Sequence, residues 1–235
     1  MQNGQSTILK KSKQNLYSYY EYKYLVRHRY LNQITDLLDE FLGHSDPFPS
    51  GIVDSIYYDN YSEDLYFQCL NGDSDKLKFR IRGYGNNQYG SLQQKLKRLS
   101  GVGKYKSKIE SISSSDNSAP FFEELKPYQE NFDFSFIQYS TRPYGVLLPS
   151  IRIKYHRHRY RHFDYRITLD TNIEAYAPNN GIPRKISYGI LPYHVLEIKT
   201  QNARPLLPFI GLVKLQQVSF SKFMLGINLL NSLEF

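Results

Sequence analysis

The sequence predicts an α+β protein built on a large antiparallel sheet or barrel. Many segments alternate polar residues with aromatic or β-branched ones, which is typical of half-buried strands, and only a few segments carry helical spacing. Hydrophobic residues make up 40% and charged residues 22% of the 235 residues, which excludes disorder over most of the chain. We expect a flexible tail at 1–16 and a single domain at 17–235.

Each element follows from its local pattern. Aromatic and β-branched content with alternation predicts strands at 17–26, 53–58, 65–70, 76–84, 92–99, 147–160, 164–171 and 193–200. Apolar residues three and four positions apart predict helices at 29–43, 104–109, 121–132 and 205–233, the last with a break at 218–221. Proline, glycine, asparagine and serine predict loops at 47–51, 85–90 and 111–118.

Composition excludes several classes of protein. Cys69 is the only cysteine, so the chain has no internal disulfide and no cysteine-based zinc site. No run approaches the ~20 apolar residues of a membrane helix, and residues 1–17 lack the apolar core of a signal peptide. We therefore expect a cytoplasmic protein without a membrane segment of its own. The net charge of +8 indicates an anionic partner.

The positive charges share strand faces. Because alternate residues of a strand share a face, Lys76, Lys78, Arg80 and Arg82 lie together. In the next strand, Gln93, Lys95 and Lys97 lie together, and a short turn predicts that the two strands pair. Solvated faces normally mix signs, since like charges about 5 Å apart repel by about 1 kcal/mol in water. A single-sign face indicates a polyanionic ligand, either a phosphate chain or nucleic acid.

Short motifs in a fixed order resemble the VTC domain of the CYTH, or triphosphate tunnel, superfamily. They span residues 19 to 226 and read EYKYLV at 21–26, DSIYYDN at 54–60, KFRIRGYG at 78–85, QQKLK at 93–97, YHR at 155–157, RITLD at 166–170, VLEIK at 195–199 and SFSKF at 219–223. The resemblance implies an eight-stranded antiparallel β tunnel with helices packed outside and basic residues pointing inward. It also implies synthesis of polyphosphate from ATP with Mn²⁺ or Mg²⁺.

The resemblance assigns roles by position. The expected phosphate-binding cations are Lys23, Lys78, Arg80, Arg82, Lys95, Lys97, Arg157, Arg166, Lys199 and Lys222. Glu197 is the expected metal ligand, with Glu21 and Asp170 as supporting carboxylates, and Asp170 is expected to orient an arginine. The expected partners are ATP and inorganic polyphosphate, with a membrane protein as a further partner and no nucleic acid.

The sequence departs from the superfamily pattern at three positions. Tyr19 replaces the first glutamate of a Glu-x-Glu-x-Lys pattern, Gln93 replaces a glutamate, and Ser219 replaces a lysine. Fewer carboxylates to bind metal or activate water favour a polymerase over a triphosphatase. Two alternatives stay open, namely a tunnel triphosphatase and a catalytically silent module that binds polyphosphate or nucleotide. His156 and His158 share a face, and we interpret them as additional positive charge on a polar strand rather than as metal ligands.

Overall fold

The computed structural model describes residues 20–42, 46–85, 88–99, 101–113, 118–202, 211–213, 215–219 and 221–232. Its strands are β1 Tyr20–Arg27, β2 Ser50–Asp59, β3 Lys76–Tyr84, β4 Gln88–Arg98, β5 Gly101–Ser113, β6 Leu148–His162, β7 Tyr165–Tyr176, β8 Tyr188–Ile190, β9 Tyr193–Thr200 and β10 Gln216–Gln217. Its helices are α1 Leu31–Leu42, α2 Asp64–Leu70, α3 Phe132–Thr141 and α4 Lys222–Leu230. The expected tail at 1–16 and the start of the first predicted strand at 17–19 lie outside the described residues.

All ten strands belong to one antiparallel sheet. The order is β10-β1-β9-β7-β6-β2-β3-β4-β5, and β8 pairs with β7. Eight strands have 8 to 15 residues, whereas β8 has three and β10 has two. The α+β class and the large antiparallel sheet are confirmed. Backbone pairing that would close the sheet into a barrel is not detected among the described residues.

One face of the sheet, here called the outer face, is largely apolar and carries helices. Ile34 and Leu38 of α1 pack with buried residues of β6, β7 and β9, including Ile167, Leu169 and Leu196. A second cluster joins β2, β3 and β4 to α3 and to the segment before it, with Phe79, Ile81, Leu92, Phe122 and Phe134 among its buried members. Burial of these faces against helices is the arrangement that alternation predicts for a half-polar strand.

Helix α4 corrects the expectation that the helices pack outside. Its Phe223 ring stacks on Tyr57, with ring centroids 5.1 Å apart, and Tyr57 lies on the opposite, inner face of β2. At Gly226 an added Cβ would approach the Cδ1 atoms of Ile153 and Ile151 to 2.6 and 2.8 Å. The inner face is therefore apolar where α4 packs and cationic elsewhere, because the strands change character along their length.

Three of the predicted elements are wrong. Residues 65–70 form helix α2 because the carboxylate of Asp59 accepts hydrogen bonds from the backbone N–H groups of Leu65 and Tyr66. Residues 104–109 belong to β5, since Lys95 and Leu96 of β4 pair with Lys104 and Gly103.

The third error concerns the helix predicted at 121–132. Only a short 3₁₀ turn, Phe122–Glu124, forms there, and α3 begins later, where the Asn131 side chain accepts from the N–H of Phe134. Parts of other predicted segments also lie outside the described residues, namely 43 of the first helix, 86–87 of the loop at 85–90, 114–117 of the serine-rich loop, and 205–210, 214, 220 and 233 of the last helix. Helix α4 occupies the end of that last segment.

Candidate functional site

Strand pairing brings the predicted site residues to the inner face. Lys23 lies opposite Glu197, and Glu21 lies opposite Lys199, on β1 and β9. The other predicted members occupy matching positions: Arg157 opposite Asp170, Arg166 opposite Lys199, Lys78 opposite Lys95 and Arg80 opposite Gln93. Lys222 joins this face from the start of α4.

The first half of the site pairs carboxylates with lysines. The Lys23 ammonium lies 2.7 Å from Oε1 of Glu21, and the Lys199 ammonium lies 2.5 Å from Oε1 of Glu197. Lys95 reaches the same Glu21 oxygen from β4 at 3.5 Å. Lys199 also lies 3.9 Å from Oε2 of Glu21, so these contacts form one network of charges across β1, β9 and β4.

Both glutamates of this network are held as carboxylates. Burial and the neighbouring Glu197 would raise the pKa of Glu21, but Lys23, Lys95 and Lys199 lower it to about 2. Burial likewise opposes ionisation of Glu197, and the cations around it, Lys199 first, hold its pKa well below the usual range. Two ionised carboxylates therefore lie on neighbouring strands, each compensated by lysine.

Asp170 is the hub of a second cluster. Its two oxygens accept hydrogen bonds from Nε and Nη2 of Arg157 at 2.6 and 2.8 Å, which is a bidentate pair. Lys222 lies 2.6 Å from Oδ2 of the same carboxylate. Burial would raise the pKa of Asp170, but Lys222 and Arg157 lower it. Asp170 thus fixes Arg157 and attaches α4 to the inner face.

The second half of the site lies on β3, where the cations contact amide and hydroxyl groups instead of carboxylates. Arg80 donates through Nε and Nη2 to Oε1 of Gln93, at 3.0 and 2.8 Å, and through Nη1 to the Tyr57 hydroxyl at 3.0 Å. Arg82 donates to the hydroxyls of Ser55 and Tyr155, at 2.8 and 3.3 Å.

Lys78, the third cation of β3, donates to the Ser221 hydroxyl at 2.8 Å. Burial lowers the pKa of this ammonium. In these hydrogen bonds the described residues offer Lys78, Arg80 and Arg82 only hydroxyl and amide oxygens, and no carboxylate. Three cations therefore line one strand without a carboxylate to compensate them.

Lys97 and Arg166 share the face without joining either cluster. Both side chains are exposed, and no ion pair connects them to the carboxylates of the described residues. Lys97 is near the end of β4, and Arg166 is near the start of β7. They extend the positive surface at its margins.

Lysines on β5 were missed by the sequence analysis. Lys104, Lys106 and Lys108 lie opposite Lys95, Gln93 and Ser91 of β4, which extends the cationic face to a further strand. Their alternation with Tyr105, Ser107 and Ile109 is a strand signal, but the helical interpretation of this segment concealed it. Burial and Lys199 lower the pKa of Lys104.

No cluster of three or more histidine, cysteine, aspartate or glutamate side chains is present in the part of the chain that the structure describes. His156 and His158 contact each other edge to face at 4.5 Å, and His156 pairs with Ile52 away from the inner face. Glu21 and Glu197 fit a Mg²⁺ or Mn²⁺ ion only as a partial donor set, which suits metals that take one or two carboxylates together with substrate phosphates.

The chain is thus an α+β protein whose large antiparallel sheet carries a cationic inner face. A Bacillus halodurans protein provisionally described as an adenylate cyclase has the same fold, with a TM-score of 0.51 at 13% identity over 86% of this chain and 92% of that one. The family model of the VTC domain matches residues 18–231, and the chain belongs to the VTC domain family.

Two other solved structures are more distant. The PH1819 protein of Pyrococcus horikoshii has a TM-score of 0.38 at 16% identity and covers 80% of each chain. A Vibrio parahaemolyticus protein, also provisionally described as an adenylate cyclase, has a TM-score of 0.37 at 14% identity, with 83% of this chain and 80% of that one covered. No curated protein matches the sequence significantly. Within the described residues, no helix has the length and apolar character needed to cross a membrane.

Proposed function

We propose that this chain is a metal-dependent polyphosphate polymerase that transfers the γ-phosphate of ATP to a growing inorganic polyphosphate chain. The observation that carries the proposal is the row of cations on β3, Lys78, Arg80 and Arg82, whose hydrogen bonds go to hydroxyl and amide oxygens and to no carboxylate. Membership of the VTC domain family supports the same activity.

The row on β3 suits a linear phosphate chain. Alternate residues of a strand are separated by roughly 6.6 Å, so the three cations follow a line along which successive anionic groups of a chain can bind. The lysines of β5 widen this line toward the edge of the sheet. Arginine offers bidentate contacts to phosphate, and lysine offers a mobile point charge.

The chemistry needs no covalent enzyme intermediate. An oxygen of the terminal phosphate of the chain attacks the γ-phosphorus of ATP, the bond from that phosphorus to the β,γ-bridging oxygen breaks, and ADP leaves with the bonding electrons. Positioning and charge neutralisation are the main requirements of such a transfer. The Arg157 guanidinium, fixed by Asp170, and the lysines around Glu21 supply positive charge beside the row on β3.

Glu197 and Glu21 would hold the metal. When bound, Mn²⁺ or Mg²⁺ neutralises phosphate charge and polarises the transferred group. Lys23 and Lys199, which now neutralise these carboxylates, would then be released to contact phosphate. The same exchange keeps the buried carboxylates compensated in both states, which lowers the cost of losing the metal.

Hydrolysis is the less favoured outcome because no inner-face carboxylate among the described residues is positioned as a free base. Glu21, Glu197 and Asp170 each have cationic partners, and the amide of Gln93 already accepts from Arg80. A water-activating group would have to leave such a pair before it could accept a proton.

Product analysis after incubation with ATP and Mn²⁺ tests the proposal. We expect polyphosphate that forms a ladder on a gel, together with one ADP for each phosphate added. Release of ADP and inorganic phosphate without polymer would instead identify a triphosphatase. Binding of tripolyphosphate without turnover would identify a silent binding module.

A further inference from the structure

Tyr57 lies at the centre of the β3 cations, and the family resemblance assigns it no role. It pairs with Arg80 of β3 on one side and with Ile151 of β6 on the other, and only 6% of the residue is exposed. Its hydroxyl accepts a hydrogen bond from Nη1 of Arg80 at 3.0 Å, and its ring stacks on Phe223 of α4. Both the ring and the hydroxyl are therefore fixed by contacts.

The groups around the phenol are almost all positive. Lys78, Arg80 and Arg82 face it from β3, and Lys23 of β1 is close enough to be influenced by its charge. The residues packed against it from β6 and α4, Ile151 and Phe223, are apolar. Burial would raise the pKa of Tyr57, but Arg80, Arg82 and Lys78 lower it to about 7. We therefore expect part of the phenol to be ionised at neutral pH.

We propose that Tyr57 is a positioning residue that holds Arg80 toward the phosphate chain and takes up a proton from solvent when the chain binds. The inference rests on the proposed function only in requiring that a phosphate chain binds to the β3 cations. Without ligand, the phenolate is the counter-charge that these cations otherwise lack. When the chain supplies that negative charge, the phenolate oxygen gains H⁺ and becomes a neutral phenol.

The direction of the pH dependence follows from this exchange. A bound polyanion offsets the cations that lower the pKa of Tyr57, so the pKa of the bound state is higher than that of the free state. Above pH 7 the free protein carries phenolate and binding takes up a proton, so affinity falls as the pH rises. Below pH 7 the phenol is already protonated, and this contribution to the pH dependence disappears.

Tyrosinate absorbance in the near ultraviolet measures the proton directly, and the absence of tryptophan from the sequence keeps the signal clean. The probe is sodium tripolyphosphate, added to the intact protein at about pH 8. We expect the absorbance to fall by an amount equivalent to roughly one tyrosinate per bound molecule. Lysines whose pKa is also lowered, such as Lys95, contribute nothing to this absorbance.

Three phenylalanine variants identify the tyrosine concerned. Tyr57→Phe should abolish the absorbance change while tripolyphosphate still binds. At about pH 6, where the phenol of the unmodified protein is already protonated, this variant should bind about two- to tenfold more weakly because Arg80 loses a hydrogen-bond acceptor. Tyr58→Phe is the matched control, since its hydroxyl donates to the Pro120 carbonyl and not to Arg80. Tyr84→Phe tests the competing phenol, whose pKa burial would raise but Arg82 and Lys106 lower. Both controls should retain the change.

The outcomes are distinct. Binding without an absorbance change in the unmodified protein, or an undiminished change in Tyr57→Phe, would overturn the role of Tyr57 and leave the proposed function standing. A change that disappears in Tyr84→Phe would also overturn it. Failure of tripolyphosphate to bind at all would overturn the inference and the proposed function together. An absorbance titration of the ligand-free protein, with one tyrosine ionising near pH 7 in all but Tyr57→Phe, provides a second check that does not require ligand.

Discussion

The ammonium of Lys95 lies 3.5 Å from the carboxylate of Glu21, although five strands separate β4 from β1 in the order of the sheet. A flat sheet would keep these side chains more than about 20 Å apart, since neighbouring strands are about 4.8 Å apart. The sheet is therefore strongly curled, and side chains from distant strands meet across its inner face. Side-chain contact, rather than backbone pairing, joins β4 to β1 within the described residues.

Replacement of Lys95 should weaken binding of a phosphate chain. Lys95→Met removes an ammonium that contacts Glu21 across the inner face of the curled sheet. A hydrogen bond from such an ammonium to a phosphate contributes about 1.5–3 kcal/mol. We expect affinity for tripolyphosphate, measured by titration calorimetry, to fall by about 10- to 100-fold. Lys97→Met, at the exposed end of the same strand, is the control and should change affinity by less than about threefold. Equal losses in both variants would argue against a ligand site centred on the inner face.

Loss of Asp170 should destabilise the fold in a pH-dependent way. Asp170→Asn leaves Arg157 and Lys222 without their carboxylate, at a cost of about 3 kcal/mol by urea unfolding at pH 7. Because the pKa of Asp170 is lowered in the folded state, its stabilisation is complete above the unfolded pKa of 3.8 and is lost as the pH falls through the folded value. The cost of the substitution should stay constant from about pH 8 to pH 5 and shrink below about pH 4.

The control for Asp170 is Asp164→Asn. Asp164 is exposed and accepts from Thr200 and Asn202, and an asparagine oxygen can still accept these bonds. We expect a change within about 1 kcal/mol. A cost at Asp170 no larger than this, or one that grows as the pH falls, would show that the buried pair does not stabilise the protein.

Two glycines near the β3–β4 turn should respond differently to alanine. A Cβ at Gly83 would lie 2.0 Å from the backbone oxygen of Gln88, whereas a Cβ at Gly90 would meet no atom within 4 Å. Gly83→Ala should therefore displace the backbone beside Arg82 and cost about 1–3 kcal/mol or more in urea unfolding, and Gly90→Ala should cost less than about 1 kcal/mol. Comparable stability of the two variants would mean that the close approach of the strands is not required.

Removal of the metal-binding carboxylate should change the metal requirement. Glu197→Gln should raise the Mn²⁺ concentration needed for half-maximal turnover by at least about tenfold. Loss of a residue that only hydrogen-bonds to a metal ligand already lowers metal affinity by roughly 10- to 100-fold, and loss of a ligand itself should cost no less. Glu174→Gln is the control, because that carboxylate accepts from Tyr176 and its residue pairs with Lys154 away from the site. An unchanged Mn²⁺ requirement in Glu197→Gln would remove Glu197 from the metal site.

Much of the sheet could be predicted from alternation alone. The strand at 76–84 has the predicted bounds, and its four cations share a face because they occupy alternate positions along it. The prediction for segment 104–109 failed because its apolar residues are few and also fit a helical spacing. Only the pairing of this segment with β4 decides between a strand and a helix. The helix at 64–70 depends on Asp59, whose carboxylate caps it from the end of a strand that a local pattern does not connect to it.

The site shows the same division. The ordered motifs predicted that Lys23, Arg80 and Glu197 belong to one site. Alternation along each strand correctly indicated which residues share a face. The hydrogen-bond partners of Arg80, Gln93 and Tyr57, lie on two different strands, so their convergence depends on the tertiary register. Likewise, the position of α4 on the inner face depends on Gly226, which lets the helix approach Ile151 and Ile153.

A comparison of polymer synthesis by Arg80→Gln and Arg142→Gln decides whether the β3 cations bind the phosphate chain during turnover. Arg80 is the centre of these cations, whereas Arg142 is exposed at the end of α3 and stacks on Tyr139. With ATP and Mn²⁺, we expect long polyphosphate from the unmodified protein and from Arg142→Gln. We expect at least about a hundredfold less from Arg80→Gln, the loss in kcat that removal of one charge-stabilising group causes. Equal synthesis by the two variants, or no polymer from the unmodified protein, would contradict a polymerase that works through this row of cations.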